Sequence, residues 1–194
     1  MNEKEVEALL RKTKAILEGH FLLTSGLHSP LYVEKFNVLQ HPEYTEQLCR
    51  EFAEHFKNKG IQTVIGPATG GIILSQVTGR LLGVRSIFTE RENGKMTLRR
   101  GFHIEPGKKV LIVEDIVTTG GSIKEVVDVV NKAHGDIVGI GLFVDRSGGT
   151  ADFGVPKEKV FPLLHLTVPT YKPEECPLCK QGVPITERGS HHLK

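Results

Sequence analysis

Apolar residues near the start of the chain recur at helical spacing. Val6, Leu9, Leu10, Thr13, Ile16 and Leu17 fall three or four apart, which predicts a helix over residues 3–18 that Gly19 ends. Residues 20–38 lose this period and have extended, turn-rich character, broken at Ser25-Gly26 and Ser29-Pro30. Pro42 suits the first turn of a helix. Tyr44, Leu48, Phe52 and Phe56, each four apart, then predict one buried face up to Gly60. Beyond Gly60 the pattern changes to short apolar runs. Residues 61–65, 84–88, 110–113, 137–144 and 160–166 read as strands. Helical stretches lie between them at 72–82 and around Ile123, Val126, Val127 and Val130. Strands alternating with helices predict an α/β fold with a central, mainly parallel sheet flanked by helices.

In such sheets ligands bind outside the carboxyl ends of the strands. Each unusual polar cluster of this chain falls at one of those ends: residues 66–71, 90–101 and 114–122, and the pair Asp145-Arg146. Four clusters on one rim point to a single site.

Length and charge narrow the picture. With 194 residues, one domain is expected, made of an N-terminal segment to about residue 40, an α/β core over about 60–166 and a proline-rich tail over about 167–194. Lys and Arg total 25 against 23 Asp and Glu, so no general pull towards nucleic acid or an anionic membrane is expected, and any positive site must be local. The longest apolar run, residues 137–144, is too short to span a membrane, and MNEKEVEALL has no signal-peptide core. A soluble cytoplasmic protein is the expectation. Three cysteines, Cys49, Cys176 and Cys179, argue for reduced thiols over a disulfide framework.

The most informative stretch is VLIVEDIVTTGGS, residues 110–122. A turn with Thr118, Thr119, Gly120, Gly121 and Ser122 between a buried strand and a helix start offers free N–H groups, hydroxyls and close backbone approach to a phosphate. It lacks the lysine of a nucleoside-triphosphate P-loop, and the same residues also serve in an ordinary capped turn. Glu114 and Asp115 need a partner if they face the crevice, because unpaired buried charge is expensive. Sugar hydroxyls, a hydrated Mg²⁺ or a developing cation would each serve, as would salt bridges at a sheet edge.

This stretch resembles the 5-phosphoribosyl 1-diphosphate (PRPP) signature of the type I phosphoribosyltransferases: a hydrophobic strand, two acids and a Thr/Gly turn. GHFLLTSGLHSPLYVEKF (19–36), ERENGKMTLRRGF (90–102) and FVDRSGG (143–149) narrow the resemblance to the orotate-using branch of that family. The resemblance implies a type I phosphoribosyltransferase-like sheet with a small hood formed by the N-terminal segment and the C-terminal tail. It implies that Glu114, Asp115, Ile116, Val117, Thr118, Thr119, Gly120, Gly121 and Ser122 bind PRPP, with the acids on the ribose hydroxyls and the turn on the 5-phosphate. Thr118 and Arg146 would meet orotate, a role suited to a planar guanidinium. On the residues alone, Arg146 could instead pair with neighbouring Asp145. Ala68, Thr69, Gly70 and Gly71 would form a pyrophosphate loop. Asp115, Arg91 and Lys95 would be the catalytic residues.

The family carries lysine where this chain has Thr24 and Gly70, so Lys35, Arg91, Lys95, Arg99 or Arg100 must supply that charge. The resemblance further implies Mg²⁺ held mainly through PRPP and water, with no protein residue as direct ligand. It also implies a homodimer in which a mobile loop over residues 90–101, hinged at Gly94 and Gly101, closes over the neighbour's reactants. Transfer to another base, or a non-catalytic PRPP-sensing regulator, are the alternatives. In the tail, Cys176-Pro177-Leu178-Cys179 is a single C-x-x-C that could be redox-active, bind zinc or pack in a turn. Zinc needs four ligands, and His191 and His192 are the candidates the tail offers.

Overall fold

The computed structural model describes residues 1–188. In chain order the elements are α1 (Glu3–Lys12), β1 (Ile16–Leu22), β2 (His28–Val33), α2 (Phe36–Leu39), α3 (Pro42–Phe56), β3 (Thr63–Pro67), α4 (Gly70–Leu82), β4 (Arg85–Glu92), β5 (Lys95–Leu98), β6 (Lys109–Val117), α5 (Gly121–Lys132), β7 (Asp136–Asp145), β8 (Val160–His165), α6 (Pro177–Lys180) and β9 (Thr186–Glu187). Six strands form the main sheet in the order β5-β4-β3-β6-β7-β8, and β2-β1-β9 form a second, smaller sheet. All neighbours in the main sheet are parallel except β4 and β5.

The central strands β3, β6 and β7 are buried on both faces, which is why they are nearly continuous apolar runs. Val64, Leu111 and Val113 join one core with Leu48, Phe52 and Phe56 of α3 and Leu74 of α4. Ile65, Val110 and Ile112 join the other with Ile123, Val126, Val127 and Val130 of α5. Adjacent residues point to opposite faces, as the period of two requires. The chain leaves β3 through α4 to reach β4 on one side, while β6 lies against β3 on the other. The carboxyl ends of β3 and β6 therefore meet at a topological switch point, the place where open α/β sheets hold ligands.

Three elements differ from expectation. The first helix stops at Lys12, not at residue 18: Thr13 Oγ1 donates back to Leu9 O and Leu10 O, Lys14 takes φ 55°, and Ile16 and Leu17 pair instead with Val33 and Tyr32. Ser29-Pro30 lies within β2, where a proline is tolerated because β2 is an edge strand. Residues 90–101 are not an open loop. Arg91 pairs with Met96 and Glu92 with Lys95 across the hairpin β4–β5, and Asn93 and Gly94 turn it with φ 51° and 78°. Positive φ at both central residues is the geometry that Asn-Gly supplies in tight hairpins.

Candidate active site

β6 continues in register with β7 through Ile116↔Val144 and Val117↔Asp145, so Glu114 and Asp115 lie inside the strand instead of just beyond it. Strand alternation sends them to opposite faces. Asp115 points towards the start of α4, so close to Gly70 that an added Cβ there would run into Asp115 Oδ2. Glu114 lines a small cleft with Ile116 to Ile123, about 60 Å³ in volume, roughly the space of two waters.

Both acids are buried, at 6% and 3% exposure. Burial pushes the Glu114 carboxyl well above its ordinary value, and repulsion from Asp115 adds to this; the Asp115 backbone N–H and Lys35 oppose it. Burial also raises Asp115, against the pull of Lys35 and the Ile116 N–H. Lys35 Nζ lies 3.0 Å from Asp115 Oδ2 and donates to Oδ1 at 3.2 Å. Lys35 thus bonds Asp115 directly and reaches Glu114 only through space, so burial outweighs its charge at both carboxyls.

The turn after β6 is exposed at Thr118 and Thr119 and leads directly into α5. Gly120 takes φ 83° and an added Cβ would lie 2.9 Å from the Phe153 ring, so this position needs glycine on two counts. The first turn of α5 carries no acidic residue, which leaves its free N–H groups and positive dipole end available to an anion. Across the switch point, Ala68 and Thr69 are exposed at the end of β3, while Gly70 and Gly71 are buried. Gly66 and Gly71 approach so closely that neither has room for a Cβ, and the Ala68-Thr69 peptide bond is cis.

Arg146 follows β7, whose carboxyl end adjoins that of β6, and its backbone N–H donates to Val117 O at 2.8 Å. It does not pair with Asp145. The Asp145 carboxylate accepts from Ser147 N at 2.7 Å, and Arg146 Nε is buried with no hydrogen-bond partner among the described residues. Burial lowers the guanidinium below its ordinary value, with Tyr32 opposing. The Tyr32 hydroxyl is itself raised, first by burial and then by Glu34, while Arg188, Lys35 and Arg146 pull it down. Tyr32 thus sits within electrostatic reach of the cations at the rim, a placement the sequence reasoning missed. In sequence it lies in the extended, turn-rich stretch 20–38, which carries no signal of this placement.

Of the five basic residues considered for the missing charge, the structure places Lys35 against the acids. The Arg91 guanidinium grips Glu125 of α5 at 2.7 and 2.9 Å and donates to Gly94 O. Arg99 lies 3.2 Å from Glu92, Arg100 lies 3.1 Å from Glu90, and Lys95 makes no ion pair among the described residues. The hairpin is therefore latched to α5, the helix that begins at the small cleft. In the tail, Cys176 and Cys179 lie beside His20 and His28. His191 and His192, the other candidates for that cluster, lie outside the described residues.

A Thr/Gly turn at a helix start, two buried acids beside it and a guanidinium at the next strand end meet at the switch point, an arrangement able to take an anion. The phosphoribosyl transferase domain family matches residues 37–153. An orotate phosphoribosyltransferase of Desulforamulus reducens is 55% identical over 193 residues, covering 100% of each chain to the nearest per cent. The chain belongs to the phosphoribosyltransferases, and within them to the orotate phosphoribosyltransferase family. The fold is shared more widely. An orotate phosphoribosyltransferase of Mycobacterium tuberculosis, solved in complex with inorganic phosphate, has a TM-score of 0.66 at 23% identity, covering 84% of this chain and 95% of that one. An adenine phosphoribosyltransferase of Rhodothermus marinus has 0.67 at 22%, covering 85% and 100%. At that identity the match shows the fold and does not discriminate between bases.

Proposed function

We propose that this chain transfers the 5-phosphoribosyl group from PRPP to N1 of orotate, giving orotidine 5'-phosphate and pyrophosphate, in pyrimidine (UMP) synthesis. The observation that carries the reading is the buried Glu114-Asp115 step beside an Arg146, on the adjoining strand end, whose buried Nε has no hydrogen-bond partner among the described residues. The acids would hold the ribose 2- and 3-hydroxyls, and the turn from Thr118 to Ser122 the 5-phosphate. Ala68, Thr69, Gly70 and Gly71 would cradle the pyrophosphate. Arg146, with Thr118, would orient the orotate anion through its carboxylate or ring oxygens.

Bond breaking leaves cationic character on the ribosyl carbon, as in glycoside chemistry, and the carboxylates of β6 stabilise it from a fixed position. Orotate is already an anion, so placing N1 against that carbon matters more than a strong base. The β4–β5 hairpin would cover the reactants and keep water out, with Arg91 leaving Glu125 to join Lys95 at the pyrophosphate. Carboxylates, hydroxyls and water are the hard oxygen donors that magnesium takes, so the acid pair fits a hydrated Mg²⁺ carried with PRPP and met through water. Bound there, the ion supplies positive charge to the departing pyrophosphate.

The working form in this reading is a homodimer in the cytoplasm. No helix among the described residues is long and apolar enough to cross a membrane. The test is to incubate the protein with PRPP and Mg²⁺ and, in parallel, orotate, adenine, hypoxanthine, guanine, xanthine and uracil, following base loss and pyrophosphate release. Consumption of orotate alone supports the proposal. Turnover of a different base overturns the role given to Arg146.

A further inference from the structure

Residues 169–188 form an ordered tail with almost no core of its own. Cys176 is the single buried residue in it, and Val183 and Ile185 are left 36% and 43% exposed. Apolar burial cannot hold such a segment, and short segments of this kind are ordinarily fixed by disulfides or a metal. No disulfide is present: all three cysteines are free.

At the inner face of this tail, four ligand atoms converge. The single helical turn of α6 sets Cys176 and Cys179 three residues apart, so both sulfurs face the same way. The β1–β2 pairing brings His20 and His28 to meet them. His20 Nε2 is 3.5 Å from Cys176 Sγ, 3.7 Å from Cys179 Sγ and 2.9 Å from His28 Nδ1, and Cys179 Sγ is 3.3 Å from His28 Nδ1. All four atoms lie within 4.8 Å of one another. Tetrahedral zinc, with Zn–N of about 2.0–2.1 Å and Zn–S of about 2.3 Å, requires ligand-to-ligand edges of roughly 3.3–3.8 Å. Three of the four measured edges fall in or at the limit of that range, and the two imidazoles need to part by only about 0.4 Å.

The surroundings fit as well. His20 Nδ1 lies 2.8 Å from the Val183 carbonyl, so that nitrogen carries the proton and Nε2 presents its lone pair to the cluster. Metal-bound histidines are oriented by this kind of outer contact. His20, His28 and Cys176 are buried, whereas Cys179 is exposed, so the centre has three inner ligands and an entry path.

We propose that His20, His28, Cys176 and Cys179 bind one structural Zn²⁺, each thiol releasing its proton to solvent as it ligates. Four protein ligands close the coordination sphere, which excludes a water and marks the site as structural. The ion joins the tail to the small sheet. The same junction carries the backbone pair between His28 and Tyr171 and the pairing of β9 with β1. Because β2 also bears Tyr32 and leads to Lys35, the zinc fixes the strand that borders the candidate active site.

The experiment uses full-length protein carrying no affinity tag, prepared without chelators. Elemental analysis is expected to give one zinc per chain. Cobalt added to chelator-stripped protein is expected to give the intense visible bands of tetrahedral cobalt with thiolate charge transfer. Cys179→Ser and His28→Gln should each reduce zinc to a small fraction per chain, while Cys49→Ala retains it. Chelation of the wild type should open residues 169–188 to protease, reversed by added zinc. Protein that holds no metal and takes up no cobalt, an octahedral cobalt spectrum, iron in place of zinc, or a Cys176–Cys179 disulfide in freshly isolated protein would each overturn the assignment. Should the variants fail to fold, the wild-type cobalt spectrum decides alone.

Discussion

Replacing Lys35 by methionine tests how the acid pair is tolerated. Its ammonium is the positive group beside Asp115, at 3.0 Å from Oδ2. At an effective dielectric constant of about 20, charges at that distance attract by about 5 kcal/mol. Lys35 is 34% exposed, so solvent screens part of this attraction, and desolvation offsets more. A net loss of about 1–3 kcal/mol at neutral pH remains, which for a chain of this size lowers Tm by roughly 3–9 °C. The loss must depend on pH. Burial already raises both carboxyls in the folded protein, and removing Lys35 raises them further. A raised carboxyl favours folding below its unfolded value, and that contribution is lost as pH rises through the folded value. The difference between K35M and wild type should therefore shrink towards about pH 4 and widen towards about pH 8. Urea unfolding of both proteins across this range measures it. A difference that does not change with pH would refute charge compensation as the role of Lys35.

Glu114→Gln puts a neutral group where burial disfavours a carboxylate, so the variant should be more stable by about 1–2 kcal/mol at neutral pH while binding PRPP more weakly. Thermal melts and calorimetric titration check the two signs, and a less stable variant would contradict the account. Gly70→Ala places a Cβ against Asp115 Oδ2 and should cost about 1–3 kcal/mol through overpacking, with PRPP affinity falling as Asp115 is displaced. Unchanged PRPP affinity would show that Asp115 is not held by this contact. Glu125→Gln cuts the two-pronged grip on Arg91; because the pair is exposed, stability should change by no more than about 1 kcal/mol. Amide exchange across residues 90–101 should nevertheless quicken, and unaltered exchange would mean that the latch does not hold the hairpin.

Much of the fold is visible in the sequence because long periods average out local exceptions. Leu48, Phe52 and Phe56 repeat often enough to fix the buried face of α3, and the apolar runs that became β6 and β7 are too continuous for surface strands. The end of α1 is not visible in the same way. Ile16 and Leu17 continue its apolar spacing, and the competing partners that win them, Val33 and Tyr32, come from a later part of the chain. The hairpin at Asn93-Gly94 was legible in turn chemistry, but the resemblance implies a mobile loop over residues 90–101. At the candidate site, the acids and the Thr/Gly turn are contiguous and were readable together. Choosing Lys35 among five basic residues required the packing of α2 and α4 around Asp115. The partners of the C-x-x-C were hidden by distance, since His20 and His28 lie 156 and 151 residues from the cysteines they meet.

The central claim is that one rim holds PRPP and reads the carboxylate of the accepting base through Arg146. Its most direct test is the ratio of kcat/KM for orotate to that for uracil, the same ring without the carboxylate, measured for the wild type and for Arg146→Leu at saturating PRPP. A buried guanidinium left unpaired by uracil should give the wild type a preference of at least about 100-fold, which Arg146→Leu should reduce to about tenfold or less without changing PRPP affinity. A preference that survives the substitution, or a loss of PRPP binding equal to the loss of orotate use, would contradict it.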